Sequence, residues 1–394
     1  MDRLLAHKTS NPANIPYGRQ TIEADDIVAV AEALQSSWLT TGPRVGDFEQ
    51  AFARQVGAAE AVAVSSGTAA LHAAMFALGI GPGDEVLVPA MTFAATANCV
   101  VYQGGTPVFC DVHPETLLID THDMASKITS RTKAVIAVDY CGQPCDYDSI
   151  HRIAQEHDLA VVSDACHSLG GKYHGRNVGT LANLNVFSFH PVKHITTGEG
   201  GLITTSNAEW VSRMRMFRNH GITSEARERA RSGIATYEMI ELGYNYRLTD
   251  FQSALGMSQL KKLPVWIERR REIAKCYDDA FARSELLTKL AVSDDVYHAY
   301  HLYVVQLATE RLQTNRDHVL AELRRAGIGA NIHYIPVHLH TFYRERFTTG
   351  PGMCPVAESA FERMISLPIF PLMTAEEVET VISTVTNVLE AYAA

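Results

Sequence analysis

The chain has 394 residues, of which 46% are apolar, enough for a large buried core and, by length, about two to three domains. It carries 34 Lys and Arg against 44 Asp and Glu, a net charge of -10, so we expect no nucleic-acid partner. No apolar stretch has the character of a signal peptide or a membrane helix, and we predict a cytoplasmic protein with no membrane partner.

The first predicted elements are a helix, a strand and a second helix. The segment TIEADDIVAVAEALQSS puts four apolar residues on one helical face, Ile27, Val30, Ala31 and Leu34. The run AVAVSSG, at 61–67, is typical of a short strand closed by a turn. TAALHAAMFALG after it predicts a helix that ends at Gly79.

Six more apolar runs follow, each bounded by turn or helix signals: DEVLVPAM, TPVFCDV, KAVIAVDYCG, LAVVSDACH, NVFSFH and GGLITTS. Near-continuous β-branched strands that alternate with helices are typical of a parallel sheet covered on both faces. We therefore predict an α/β fold with one large domain that extends from about residue 20 to residue 255.

The C-terminal part predicts a second, smaller α/β domain. TDFQSALGMSQLKKLPVWIERRREIAKCYDDAFARS is typical of a long helix, which we expect to break at Pro264. YHAYHLYVVQL and GIGANIHY predict strands, and the capping box of Thr374 and Glu377 starts a final helix. We expect residues 1–255 to form the N-terminal segment and the large domain, and residues 256–394 to form the linking helix and the small domain.

Seven cysteines are scattered along the chain. Cys141 and Cys145 are the one close pair, and no second Cys or His pair lies around them at zinc spacing. A core of this size needs no disulfide bonds. We therefore predict reduced structural thiols and no metal site.

Polar residues follow several of the predicted strands, in the segments SSGT, MTF, SDACH and SFHPVK. Ligands of parallel α/β sheets bind outside the carboxyl ends of the strands. Ser66, Gly67 and Thr68 open a helix, whose first N–H groups can bind an anion together with the Ser188 hydroxyl. Ordinary helix capping by the same residues is the alternative.

Asp164 and Lys193 are the candidate reactive groups. Asp164 closes the apolar run AVVSD, and its carboxylate needs a partner, either a hydroxyl or helix N-terminus or a protonated heterocyclic nitrogen. Lys193 lies 29 residues further on, in SFHPVKHITTGEGG, where glycines permit unusual backbone angles. A surface lysine is the alternative, but a Schiff-base lysine accounts for the anion site, the aspartate and the amine together.

The ordered segments SSGTAALH, MTFAATAN, SDACHSLGG, SFHPVKHITTGEGG and GYNYRLTDFQSALGMSQL resemble the DegT/DnrJ/EryC1/StrS family of pyridoxal-phosphate-dependent sugar aminotransferases. The resemblance covers nearly the whole chain from about residue 14. It implies a fold type I aminotransferase that uses pyridoxal 5'-phosphate (PLP) and forms a homodimer with active sites at the subunit interface.

The resemblance also implies roles for the residues of these motifs. Lys193 would form the Schiff base with PLP and move the proton between the cofactor and substrate carbons. Asp164 would pair with the pyridine nitrogen and keep it protonated. The cofactor's phosphate would bind at the start of the predicted helix, by Ser66, Gly67, Thr68 and Ser188.

Three further cofactor-binding residues are implied by the same resemblance. Phe93 would stack on the ring, and His167 would lie near its phenolic oxygen. Asn245 of GYNYR would reach the phosphate of the neighbouring subunit's cofactor, with a plain turn asparagine as the alternative.

Within the family, TKAVIAVDYCG, SFHPVKHITT, RLTDFQSALGMSQLKK and IHYIPVH are most similar to enzymes of pseudaminic acid synthesis. That likeness implies L-glutamate as amino donor and a UDP-linked 4-keto-6-deoxy-N-acetylhexosamine as acceptor. Gly198, in place of an expected alanine, and an N-terminal extension of about ten residues depart from it. The implied substrate-binding residues are Tyr17, Ser37, Trp38, Leu39, Thr40, Tyr334, Ile335, Pro336 and Val337.

Three other functions agree less well with the sequence: a dehydratase, a PLP-binding regulator and a dinucleotide oxidoreductase. A family branch that dehydrates its substrate has histidine in place of the lysine, whereas this chain keeps Lys193 and has His194 after it. A PLP-binding regulator would need an effector or DNA-binding domain, and no basic helix-turn-helix segment is visible. A dinucleotide oxidoreductase would need G-x-G-x-x-G after the first strand, which SSGTAALH does not supply. Amination of a different UDP- or dTDP-linked keto sugar remains the main alternative.

Overall fold

The computed structural model describes residues 14–224, 229, 233 and 235–394, so the predicted N-terminal extension lies outside the described residues. The described helices are α1 Ala24–Gln35, α2 Pro43–Val56, α3 Gly67–Leu78, α4 Ala95–Tyr102, α5 Thr121–Ser126, α6 Tyr147–Glu156, α7 Ala208–Phe217, α8 Asp250–Leu260, α9 Leu263–Phe281, α10 Arg316–Arg325, α11 Thr341–Phe347, α12 Pro355–Arg363 and α13 Ala375–Ala391. The strands are β1 Ile15–Pro16, β2 Glu60–Val64, β3 Glu85–Pro89, β4 Thr106–Cys110, β5 Thr132–Val138, β6 Ala160–Asp164, β7 Lys172–Tyr173, β8 Arg176–Asn177, β9 Leu184–Ser188, β10 Gly201–Thr205, β11 Leu287–Lys289, β12 Val296–Tyr297, β13 Tyr303–Leu307, β14 Ile328–Gly329 and β15 Met364–Leu367.

A seven-stranded sheet with the order β2-β10-β9-β6-β5-β3-β4 forms the centre of the protein. Its strands are the seven apolar runs predicted from the sequence, and the α/β fold class is confirmed. The sheet is mostly parallel, but β10 runs antiparallel to both of its neighbours, β2 and β9. The prediction of a wholly parallel sheet is therefore wrong at β10, because an apolar run carries no information about strand direction.

The C-terminal region contains a second sheet of three antiparallel strands, β11-β13-β15, against which α9, α10 and α13 pack. Of the predicted strand GIGANIHY, only Ile328–Gly329 forms a strand, β14. It pairs with β1, so the start of the described chain lies against the C-terminal region.

Two apolar clusters form the interior, and they do not divide at residue 255. Ile15 belongs to the smaller cluster, whose other members follow residue 272. Several residues beyond 255, among them Val337 and Tyr343, belong to the larger cluster under the central sheet. The predicted domain boundary is therefore crossed by packing in both directions.

The predicted helix boundaries agree with the structure at three places. α3 ends at Gly79, which has a φ of 73°, the left-handed conformation that glycine adopts without strain. Pro264 lies in the first turn of α9, after α8 has ended at Leu260, so the predicted break is confirmed. Thr374 and Glu377 form the capping box of α13. In the described part of the chain, no helix is both long and apolar enough to cross a membrane.

Helix α1 forms as predicted, but its apolar face does not pack on this chain. Ile27 and Leu34 are 44% and 54% exposed. The buried side of the helix includes Asp26, whose carboxylate accepts from the Gln259 side chain at 2.7 Å and pairs with Lys262 at 2.9 Å. Polar contacts with α8 and Lys262 therefore orient α1 and leave its apolar face open.

The sheet also explains how the candidate residues come together. β3, β6 and β9 are parallel, and β2 runs in the same direction because β10 is antiparallel to both β2 and β9. The carboxyl ends of these four strands therefore lie at one edge of the sheet, where the predicted polar segments follow them.

Candidate active site

The start of α3 and the end of β9 form one side of the site. Gly201 of β10 pairs with both Val64 and Ser188, so the turn before α3 lies beside Ser188. A Cβ added to Gly67 would be 2.9 Å from the Ser188 Cβ, and this close approach requires glycine.

The first turn of α3 has both a side-chain cap and free N–H groups. The Ser66 side chain caps the helix by accepting from the Ala69 N–H at 3.0 Å, and the Ala70 N–H donates to the Ser66 carbonyl. The earlier N–H groups of Gly67 and Thr68 have no partner within the helix. A cap and an anion site can therefore exist in the same turn.

Asp164, at the end of β6, is buried and has a hydroxyl partner. Its Oδ2 accepts from Thr96 Oγ1 at 2.8 Å, and its Oδ1 accepts from the Cys166 N–H at 3.3 Å. Thr96 Oγ1, in the first turn of α4, lies 2.7 Å from Thr92 Oγ1 in the turn that precedes this helix. MTFAATAN contains both threonines, but because Thr92 lies outside the helix their spacing in the sequence does not predict the contact.

Lys193 lies in the loop between β9 and β10, with its Nζ 3.4 Å from His301 Nε2. Burial lowers the pKa of its amine, while the charges of Cys166 and Asp164 act in the opposite direction. Lys193 is thus half-buried near Asp164, with a side-chain partner in His301, which an ordinary surface lysine would not need.

The two unusual residues of this loop have structural reasons. His194 is buried, and its Nε2 lies 3.1 Å from the Ala299 carbonyl, which anchors the loop to the segment before β13. Gly198 has a φ of 79°, a conformation that favours glycine over alanine.

His167 lies between Tyr334 and His301. Its Nε2 is 3.0 Å from the Tyr334 hydroxyl, and its ring centre is 4.3 Å from that of His301. Burial is the main cause of a pKa well below the usual value, and nearby Lys193 adds to it, so the ring is neutral at neutral pH. Phe93 is 59% exposed, with its ring centre 5.9 Å from that of Tyr334.

The predicted substrate-binding residues occupy different places. The ring of Tyr17 lies 5.2 Å from that of His333, and Gly18 lies against Val192, the residue before Lys193. Tyr334 is partly buried, and Ile335 is 46% exposed.

Val337 and Pro336 differ from their neighbours because both are buried. The Val337 side chain is fully buried in the larger core cluster, and its N–H donates to the Ala90 carbonyl at 2.9 Å. Val337 therefore fixes the segment to the segment after β3, and a contact between its side chain and a substrate stays a prediction.

Residues 37–40 contact the start of α8 in this chain. The Asp250 N–H donates to the Leu39 carbonyl at 3.0 Å, and Thr40 forms a bridge with Thr249. Ser37, Trp38 and Leu39 are exposed. The described contacts do not join this segment to Lys193 or Tyr334.

Asn245 is exposed and lies in a segment that contacts the α3 turn of its own chain. It forms a bridge with Asn219, and the next residue, Tyr246, accepts from the Ser65 N–H at 2.9 Å. Asn245 is thus exposed at the surface, close to the turn that precedes α3.

The residues at this edge fit PLP. The cofactor needs an anion site for its phosphate, a carboxylate for its ring nitrogen and an amine for its carbonyl carbon. The α3 turn with Ser188, the buried Asp164 and the buried amine of Lys193 supply these three groups. Among the described residues, no cluster of His, Cys, Asp or Glu has the geometry to hold a metal ion.

Comparisons with known proteins agree with this geometry. The profile of the DegT/DnrJ/EryC1/StrS aminotransferase family matches residues 20–386. Spore coat polysaccharide biosynthesis protein SpsC of Bacillus subtilis is 40% identical over 378 residues, which cover 95% of this chain and 97% of that protein.

Two solved structures have nearly the same fold. The putative sugar aminotransferase Spr1654 from Streptococcus pneumoniae, in its PMP-form, is 32% identical with a TM-score of 0.91, and the match covers 96% of this chain and 100% of that one. Helicobacter pylori PseC, an aminotransferase involved in the biosynthesis of pseudoaminic acid, is 32% identical with a TM-score of 0.90 and the same coverage. The chain therefore belongs to the DegT/DnrJ/EryC1/StrS aminotransferase family and is a PLP-dependent sugar aminotransferase.

Proposed function

We propose that the protein transfers the amino group of L-glutamate to a nucleotide-linked 4-keto-6-deoxy sugar. The observation that carries the proposal is the shared edge of the sheet at which the Lys193 amine, the Asp164 carboxylate and the α3 turn meet. Bound PLP would supply a ring that takes up the electron pair left when a carbon loses a proton.

The two reactive residues divide the chemistry between them. With PLP bound, the Asp164 carboxylate would accept a hydrogen bond from the ring nitrogen, and its negative charge would favour the protonated form of that nitrogen. The Lys193 amine would be the base that takes up and returns the proton during the transfer. Thr96 holds the Asp164 carboxylate in place through its hydroxyl.

The other residues of the edge bind and orient. Ser188 and the N–H groups of Gly67 and Thr68 would hold the phosphate of bound PLP, and Phe93 would cover its ring. His167, fixed by the Tyr334 hydroxyl, would orient the ring.

We propose a UDP-4-keto-6-deoxy-N-acetyl-L-altrosamine type of sugar as the acceptor, which would make the protein a UDP-4-amino-4,6-dideoxy-N-acetyl-β-L-altrosamine transaminase of pseudaminic acid synthesis. The likeness to PseC supports this choice. The higher identity to SpsC supports the alternative, a different UDP- or dTDP-linked keto sugar used for a polysaccharide.

A substrate panel tests the proposal. Purified enzyme is incubated with glutamate and with matched UDP- and dTDP-linked 4-keto sugars, and the products are identified by mass and by proton couplings. We expect the highest kcat/KM with the UDP-linked N-acetylated sugar. A higher value with a dTDP-linked sugar would support the alternative, and no amination of any sugar would overturn the proposal.

We also propose a homodimer in which each active site takes Asn245 from the other subunit. The open apolar face of α1, with Ile27 and Leu34, and the exposed Asn245 support it, because a monomer seldom leaves such a helix face uncovered. Mixing Lys193→Ala and Asn245→Ala chains gives heterodimers with one intact site, so about a quarter of wild-type turnover should return. If each site is built from one chain, the mixture will show no turnover beyond that of the two parent variants.

A further inference from the structure

His301 is a buried histidine to which the mechanism above gives no role. It precedes β13 and is only 5% exposed. Its Nε2 faces Lys193 Nζ at 3.4 Å. The ring therefore touches the atom whose protonation decides whether the lysine can react.

The groups around His301 favour a neutral ring. Lys193, His167 and His194 face it, with the two histidine ring centres at 4.3 and 5.6 Å. Arg270 also approaches, because its guanidinium donates to the His301 carbonyl at 3.4 Å. Burial, first, and then these neighbours lower the pKa of His301 well below its usual value. A neutral imidazole carries a single N–H.

The surroundings of the two ring nitrogens indicate which of them carries the proton. The buried Nδ1 has no hydrogen-bond partner among the described residues. A buried N–H without an acceptor is costly and rare in proteins. The proton is therefore more stable on Nε2, where it points toward Lys193.

We propose that His301 is a positioning residue that donates its Nε2–H to the lone pair of the Lys193 amine and so holds the lysine as a neutral nucleophile whenever it is not bonded to the cofactor. An ammonium group has no lone pair and would face this N–H with its own N–H groups. The Asp164 carboxylate favours the ammonium form, and His301 and burial act against it. The inference rests on the proposed role of Lys193, but not on the identity of the sugar.

The test measures the protonation of Lys193 in enzyme loaded with pyridoxamine phosphate, the form in which this amine is free. Labelling of Lys193 by acetic anhydride is followed against pH by peptide mass spectrometry. In His301→Gln the amide can turn its oxygen to the lysine and accept from the ammonium. We expect the apparent pKa of Lys193 to rise, with about tenfold less labelling at a fixed pH on the rising part of the curve.

His298→Gln is the matched control. It replaces a second buried histidine of the segment before β13, whose Nδ1 accepts from the Tyr300 N–H at 2.8 Å, and should leave the labelling curve of Lys193 unchanged. An unchanged curve in His301→Gln, or an equal shift in both variants, would overturn the inference.

Nitrogen-15 NMR of wild-type enzyme, with the His301 signals assigned by their loss in His301→Gln, gives a second readout that does not depend on the labelling chemistry. We expect the proton on Nε2, and a proton on Nδ1 would contradict the inference. Borohydride reduction separates this failure from that of the proposed function. If it does not attach PLP to Lys193, the proposed function fails, and if it does, only the role of His301 is in question.

Discussion

The two halves of the candidate site differ in how far the folded chain already restricts the motion of their side chains. In the proposed reaction half, Asp164, His167 and His301 are buried and Lys193 is half-buried, and each of these side chains has a protein partner. The recognition half, Trp38, Phe93, Asn245 and Ile335, is exposed. Exposed side chains lose conformational freedom on binding, whereas buried ones have lost it on folding. We therefore expect changes in the first half to alter rate constants, and changes in the second to alter affinity.

The largest effect is expected from Lys193→Ala in the reaction half. Without the amine, the proton has no carrier between the two carbons, so turnover should fall by about 1,000-fold or more. Mass spectrometry after borohydride reduction should also show no attached cofactor. Near-normal turnover of this variant would remove Lys193 from the reaction half.

Asp164→Asn should fold but lose about 100-fold in kcat, because a neutral amide cannot stabilise a protonated ring nitrogen. Asp139→Asn is a matched control, because Asp139 directly follows β5, the strand next to β6. Its carboxylate accepts from the Cys145 N–H at 3.0 Å and from the Tyr147 hydroxyl at 2.8 Å, and burial raises its pKa to about 6. The control should lower the free energy of unfolding by about 1–3 kcal/mol and change kcat much less. The reverse pattern would exchange the roles of the two aspartates.

Trp38→Ala and Tyr334→Phe compare the two halves directly. Trp38→Ala should raise the KM for the nucleotide sugar about tenfold through a lost aromatic contact and leave the glutamate half-reaction unchanged. Tyr334→Phe removes only the hydroxyl that holds His167, and should slow both half-reactions equally, by up to about tenfold. Stopped-flow measurement of each half-reaction distinguishes them. If Trp38→Ala slows both equally, this residue does not belong to sugar recognition.

The smallest effect concerns stability in acid. Burial lowers the pKa of His298 to about 3, from 6.5 when unfolded. Between these values the unfolded state binds the extra proton, so the free energy of unfolding falls as pH falls, by about 1.4 kcal/mol per pH unit for each such histidine. Urea unfolding between pH 6 and 4 should show a smaller slope in His298→Asn. Replacement of the exposed His157 should leave the slope unchanged, and an unchanged slope in both variants would contradict the prediction.

Sequence patterns predicted the strands of the central sheet and the polar edge well, because buried parallel strands are continuous apolar runs. They could not predict the direction of β10, which depends on hydrogen bonds with two distant strands. They also could not show that the Val337 side chain packs in the larger core cluster, because IHYIPVH does not reveal which of its residues turn to the core.

The sequence also could not predict which side chains contact each other within the site. YHAYHLYVVQL contains two histidines, His298 and His301, and nothing in the sequence distinguishes the one that meets Lys193. The resemblance to a family supplied the roles of Asp164 and Lys193, but the contact of Thr96 with Asp164 needed coordinates.

The loop that carries Lys193 is closed at both ends by one antiparallel pair, Ser188 with Gly201. Inside it, the Phe189 N–H donates to the Gly200 carbonyl at 2.9 Å. In protein engineering, residues 189–200 can therefore be exchanged as one segment with the corresponding loop of a relative, and the sheet keeps its register. One residue inserted into β9 would instead turn alternate side chains to the opposite face of the sheet and remove Ser188 from its place beside Gly67.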